Sequence, residues 1–423
     1  MKRWSLVAGI APLCLSPVVL AQDAALRTSV DYLQPVAERP VAVEEDERFV
    51  RLGGWKLTPQ AELSGTFDSN IYATAKDEED DFITVLKPKA RLQSDWNVHE
   101  VMLEAGADLG WYQDFSSEDY QDFYLVNRNR LDIVYGTRLL TDVLYRDAHV
   151  ARSSPDSDGL TAEPLTYELL RGMIGFERDL GILGLRADIQ AEDINYDDSD
   201  RVGGGTIDNS YRDRTVVDGG LRLSYSRFEG AEAYLSARLR EVSYEDSTLG
   251  GRPDRDSSGY DIGLGLRKSV SDLWVFDAFV GYSPRHFADR ALDDISGGDA
   301  LAFSVKALWN PTPITSLIAD FQRKTFETTT VGSSALISTA FNLRLEHKLT
   351  EALLLDANLG YSINDYAGVS REDDLYRASL GVAYHLTQLA SVRAEYSYRE
   401  RDSTAALNDY DRQLLQLQLL VNY

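Results

Sequence analysis

Twelve arginines recur at positions whose spacing is that of one face of an extended strand. Arg128 and Arg130 lie two apart, as do Arg238 and Arg240; Arg91, Arg186, Arg222, Arg267, Arg344, Arg377, Arg393 and Arg399 mostly stand between apolar neighbours. Asp95, Asp188, Glu192, Asp218, Asp261, Asp356 and Glu395 are interleaved with them in the same rhythm. A guanidinium presents five N–H donors in a planar fork, a shape that fits carboxylates and vicinal hydroxyls. Two chemistries are therefore open. Arginines and acids could pair and brace a wall, or part of the arginine set could form a track for an anionic or hydroxyl-rich solute.

Catalytic chemistry has little to stand on. The five histidines, His99, His149, His286, His347 and His385, have no nucleophile and acid at a defined spacing, although Ser153, Ser154 and Asp289 lie near two of them in sequence. No catalytic residue, cofactor or metal ligand is assigned. The run Asp156-Ser-Asp158-Gly159 with Glu163 lacks the ligand spacing of a calcium loop, and Gly203-Gly-Gly205 reads as a flexible turn. The sole cysteine, Cys14, lies in the amino-terminal segment.

The elements that would position the arginines are strands. Leu57, Pro59, Ala61, Leu63, Gly65 and Phe67 alternate with polar residues, and so do Tyr260, Ile262, Leu264 and Leu266, or Leu353, Leu355, Ala357, Leu359 and Tyr361. A period of two puts successive side chains on opposite faces. Long polar loops fall near 152–164, 197–213, 246–258, 284–299, 328–334, 365–373 and 402–408, and short turns fall between them. The segments count to about eighteen, with sixteen as the alternative, and an even number returns the carboxy terminus to the side of the amino terminus. The fold class expected is all-β: a transmembrane antiparallel up-and-down β-barrel over residues 55–423, with long loops outside and short turns in the periplasm. Charge on the lipid side would cost about 2–4 kcal/mol at the midplane, so the arginines are expected to line the lumen.

The ends agree. Leu415, Leu417, Leu419, Val421 and Tyr423 form one apolar row ending on an aromatic residue, as in the strand that barrel assembly machinery reads. Residues 1–21 carry Lys2, Arg3, an apolar stretch and Val19-Leu20-Ala21, the pattern of a signal peptide. Residues 22–54 read as an acidic periplasmic extension. Past the signal no apolar run nears the roughly 18–20 residues of a membrane helix. The formal charge is −25, which sets nucleic acid aside as a partner. Tyrosine (23 residues) and tryptophan (6) are abundant enough to build interfacial girdles. A Gram-negative outer membrane is the expected home, with lipid and lipopolysaccharide as surroundings.

Leu57-Thr-Pro-Gln-Ala-Glu-Leu63 and Thr66-Phe-Asp-Ser-Asn-Ile-Tyr72 resemble the opening of a family of porin-like outer-membrane β-barrels. Pro88-Lys-Ala-Arg-Leu-Gln-Ser-Asp-Trp96 with His99, then Gly110-Trp-Tyr112 and Asp119-Tyr-Gln-Asp122, continue the likeness. That family is associated with exopolysaccharide and capsule export clusters. The resemblance therefore implies an exit pore for a polysaccharide, working with periplasmic export components. A general or solute-specific porin for small hydrophilic molecules, and a structural or adhesive surface barrel, are the alternatives.

Overall fold

The computed structural model describes residues 49–157, 159–271 and 273–422. The expected signal peptide, most of the amino-terminal extension, Asp158 and Tyr423 lie outside the described residues. Eighteen long strands form one antiparallel sheet that closes on itself. In chain order they are β1 (Trp55–Asp68), β2 (Asp81–Ser94), β3 (Glu100–Tyr112), β4 (Tyr120–Val134), β5 (Thr137–His149) and β6 (Thr166–Asp179). Next come β7 (Leu183–Tyr196), β8 (Arg214–Tyr225), β9 (Ala231–Tyr244), β10 (Ser257–Ser271), β11 (Trp274–Tyr282) and β12 (Leu301–Thr312). The last six are β13 (Thr315–Phe326), β14 (Leu336–Lys348), β15 (Leu353–Tyr366), β16 (Glu372–His385), β17 (Ala390–Ser403) and β18 (Tyr410–Asn422).

Each strand pairs with its sequence neighbours, and β1 closes the ring by pairing with β18 from Gln60↔Asn422 to Asp68↔Leu414. Closure leaves no free edge, which is what a sheet needs to survive in lipid. No helix among the described residues is long and apolar enough to cross a membrane; the crossing segments are strands. Val50–Leu52 folds back on β1 as a short hairpin, so the end of the extension is part of the sheet.

Alternation decides which face is which. On β18, Leu415 and Leu417 are each 59% exposed on the outer face, whereas Gln418 between Leu417 and Leu419 is 4% exposed inside. Leu63 and Phe67 stand outside β1, with Glu62, Ser64, Thr66 and Asp68 buried opposite them. Aromatic pairs mark the two rims. Trp55–Trp96 (5.1 Å between centroids) and Trp274–Trp309 (5.0 Å) lie toward the turn end, and Tyr361–Tyr376 (5.0 Å) lies toward the loop end.

Turn chemistry explains the tight end. Gly136 and Gly230 have positive φ (73° and 66°), and their carbonyls accept the Asp179 and Ser269 N–H groups at 2.6 Å. A Cβ at either glycine would fall within 2.8 Å of the neighbouring strand's carbonyl, so a side chain is excluded there. The other nine connections, most of them longer, lie at the opposite end, L1 to L9; those used below are L2 (113–119), L3 (150–165), L4 (197–213), L5 (245–256), L6 (283–300), L7 (327–335) and L8 (367–371).

The outer row yields a direct test. Leu417→Arg places a charge in the middle of β18 and should lower stability in lipid by about 2–4 kcal/mol. Denaturant unfolding of the reconstituted barrel reads this, and an unshifted midpoint would mean that Leu417 does not face lipid.

Candidate lumen and constriction

Nine of the twelve arginines hold an acid on the inner wall. Arg91 meets Glu104 (2.8 Å), Arg128 meets Asp142 (2.7 Å), Arg130 meets Glu100 (2.8 Å) and Arg186 meets Glu177 (3.0 Å). Arg222 pairs with Glu232, and Arg344 with Glu346. Arg238 bridges Asp188 (2.6 Å) and Asp218, which also draws Arg240 (3.7 Å). Arg393 holds both Asp356 and Glu395 at 2.5 Å. Arg267 stands in register with Asp277 across β10 and β11. Arg377 and Arg399 are in register with each other, and Arg399 with Arg412, across β16, β17 and β18.

The inner face is not uniformly polar, against the simple alternation rule. Ile83, Val85, Leu144, Leu169, Ile194 and Leu414 are buried inward-facing residues in the upper half of the barrel. Val150 of L3 packs against Leu144, Leu169 and Ile194, and Ala151 and Arg152 face Ile83, Val85 and Leu414 across a cavity. L3 folds into the lumen, where Ala151, Ser153, Ser154 and Pro155 are buried.

L3 is anchored at both ends of its span. Near its start, Arg152 donates from Nε and Nη2 to the buried Glu118 of L2 (2.8 and 2.7 Å) and from Nη1 to Thr161 (2.7 and 2.9 Å). Its tip reaches L7, where Thr328 Oγ1 and the Thr329 N–H donate to Asp156 Oδ1 (2.7 and 3.0 Å). Arg212 of L4 donates to the Asp156 carbonyl (3.2 Å), and Arg371 reaches the Pro155 carbonyl (3.5 Å). L3 joins β5 to β6, and L7 joins β13 to β14, eight strands on in a ring of eighteen. These walls are nearly opposite, so the loop crosses the lumen.

The clamps stay charged. Burial opposes the Arg371 charge, but its bidentate bond to Asp373 (2.7 and 3.0 Å) and the neighbouring Tyr366 hold it above the ordinary value. Burial likewise opposes Arg212, and Tyr211, Tyr196 and Asp156 raise it. Over this side, L6, L7 and L8 share a small core of Ile295, Ala300, Ala335 and Ile337, with Ala367 against it. Arg255 of L5 ties in by donating to the Ser333 carbonyl (3.3 Å).

Beneath L3 lies a cavity of about 80 Å³ between L2, L3 and the β18–β1–β2 wall, lined by Lys87, Tyr112, Tyr120, His149, Arg152, Arg399 and Arg412 among others. Its histidine is a wall residue. His149 Nδ1 lies 2.9 Å from Asp122, and the ring packs on Tyr120 at 4.2 Å. Asp156, the first acid of the weak calcium-like run, serves as the L3 anchor. No cluster of three or more His, Cys, Asp or Glu suited to a metal ion occurs among the described residues.

Sequence reasoning missed Arg412, whose Nε donates to Asp68 at 2.8 Å in a buried pair beside the seam. Its signal was present: Arg412 is in phase with Gln416 and Gln418. Leu415, Leu417, Leu419 and Val421 lie exposed on the outer face of β18.

A closed barrel with a polar, ion-paired lumen and an apolar outer belt is a transmembrane channel of the outer membrane rather than an enzyme. The chain belongs to the family described as putative beta-barrel porin 2, which it matches over residues 49–423. No curated protein matches it. Among solved structures, the outer membrane protein opdK from Pseudomonas aeruginosa is similar, with 12% identity and a TM-score of 0.43 over 87% of this chain and 99% of that one. P. aeruginosa OccK5 (OpdH) is similar at 12% identity and 0.45, over 88% and 99%. A BenF-like porin from Pseudomonas fluorescens Pf-5 is similar at 10% and 0.46, over 87% and 99%.

Asp156→Ala removes the acceptor that fastens L3 to L7, releasing about 1.5–3 kcal/mol of anchoring. Single-channel conductance should rise and become noisier, with the barrel still folded. Conductance and noise identical to wild type would show that this contact does not hold the constriction.

Proposed function

We propose that the protein is a porin for small hydrophilic solutes, narrowed in its upper half by L3. The observation that carries this reading is L3 itself, fixed to opposite walls through Arg152 and Asp156. A solute that crosses here must pass between L3 and the charged wall, exchanging water for guanidinium, carboxylate and hydroxyl partners. Small solutes can do so one at a time. A polysaccharide exit would need a passage that stays open along the whole polymer, and a loop tied across the lumen works against it. The polysaccharide route suggested by the resemblance therefore ranks below the porin. Direction then comes from the solute gradient, and export components have no assigned role.

Reconstitution in planar bilayers should give steady, ohmic conductance, and proteoliposomes should swell in small sugars but not in a large dextran. A strain lacking the gene should secrete polysaccharide normally. Absent conductance would refute the channel, and lost secretion with unchanged small-solute uptake would restore the export reading.

A further inference from the structure

Most of the inner wall is a checkerboard of opposite charges. Arg91 faces Glu104 across β2 and β3, Arg128 faces Asp142 across β4 and β5, and Asp218 faces Arg240 across β8 and β9. Where two arginines do face each other, Arg186 and Arg222, each holds its own glutamate. One strip departs from the pattern. Arg377, Arg399 and Arg412 are directly registered across three consecutive strands, all inward, at the level just below the loop end. Directly opposed like charges destabilise a sheet.

On this strip the counter-charge is short at Arg377. Arg412 is held by Asp68 in a buried pair. Among the described residues Arg377 forms no ion pair with a carboxylate, and its electrostatic neighbours are Arg399 and Tyr410. Around Arg399 lie Arg377 and Arg412, with Tyr410 and Asp68 beyond them. The nearby acids are already engaged: Glu395 with Arg393 and Glu118 with Arg152. Beyond Arg377 the register continues to Gly360, which has no side chain, and then to the exposed Asn342, so the strip opens onto the lumen. Arg399 and Arg412 also line the cavity beneath L3, with Ser397 and Lys87 nearby.

The geometry points to a binding station for small oxyanions, carboxylate or phosphate, on the Arg377–Arg399–Arg412 strip under L3. Adjacent planar forks can hold two or three oxygens of one anion, and the Ser397 hydroxyl and Asn342 amide offer further donors. A cavity of about 80 Å³ suits a compact anion rather than a polymer. The strip would then concentrate anions beneath L3 in a chain whose net charge otherwise repels them. This station rests on the porin reading for its role in transport, but its affinity can be measured without it.

The test uses the full-length barrel with inorganic phosphate and with acetate as separate probes. Binding is read in detergent by calorimetry, and current block is read in planar bilayers. Wild type should bind at least one of the two, and the better binder should block the current; which one binds separates a phosphate from a carboxylate preference. The Arg377→Gln/Arg399→Gln double variant leaves the Arg412–Asp68 pair intact and should weaken binding by about tenfold or more. Its conductance in potassium chloride should remain, with selectivity shifted toward cations. Arg377→Lys keeps the charge but loses the fork and should fall between. If wild type binds neither anion, or the folded double variant binds as tightly as wild type, the station is overturned while the porin stands. Anion binding without conductance would uphold the station and refute the porin.

Discussion

Closure of the sheet is the constraint on which everything else depends. In hydrocarbon an unpaired N–H or carbonyl has no water to turn to, so every strand needs a partner on both sides. The chain meets this by pairing its first long strand with its last across the seam from Gln60↔Asn422 to Asp68↔Leu414. The seam also fixes the side-chain phase. A slip of one residue would carry Leu415, Leu417 and Leu419 into the lumen and Gln416 and Gln418 into lipid. The buried Asp68–Arg412 pair stands at the loop end of this seam and adds an electrostatic reason for the same register.

Closure in turn dictates the interior. With one face given to lipid, each ionisable side chain on a strand is forced inward, where its partners must come from neighbouring strands. The Arg238–Asp188–Asp218 group shows the result, one guanidinium gathering acids from two strands. Such pairs offset the loss of hydration rather than add much net stability, and their effect is to hold long side chains in place. A ring of eighteen strands is wide, and braced arginines alone do not fill it. L3 supplies the remaining narrowing, and its tip needs L7, L8 and L4 because a loop crossing open water has no ladder to hold it.

The strands were legible in sequence because lipid enforces period two over lengths that soluble strands rarely reach. The short turns expected between the long loops include two at which positive-φ glycines, Gly136 and Gly230, reverse the chain. The apolar row of the final strand begins only at Leu415 in sequence, yet the strand begins at Tyr410. Tyr410 and Arg412 are inward residues among acids, which resemble loop. The lumen arginines were visible as residues, but their partners were not, since pairing across strands depends on register. L3 was least legible. Its composition is that of any polar loop, and the Asp156–Thr328 contact joins residues 172 apart in sequence. The inward Ile83, Val85 and Leu414 broke the alternation for the same reason, because what they face across the cavity is a loop rather than the sheet.

The wall is therefore asymmetric in a way that follows from where the seam lies. Over β2 to β13 most of the charges meet partners of opposite sign on neighbouring strands. Over β16 to β18, next to the seam, three arginines share one row, and Asp68 reaches them from the first strand of the chain. Like charges in register weaken strand pairing by a few tenths to about 1 kcal/mol, but each of these strands is locked by a continuous ladder on both sides. The barrel can hold this local repulsion because closure removes the edge at which it would otherwise open. The same closure that hides the backbone from lipid thus allows a registered row of three arginines to persist inside.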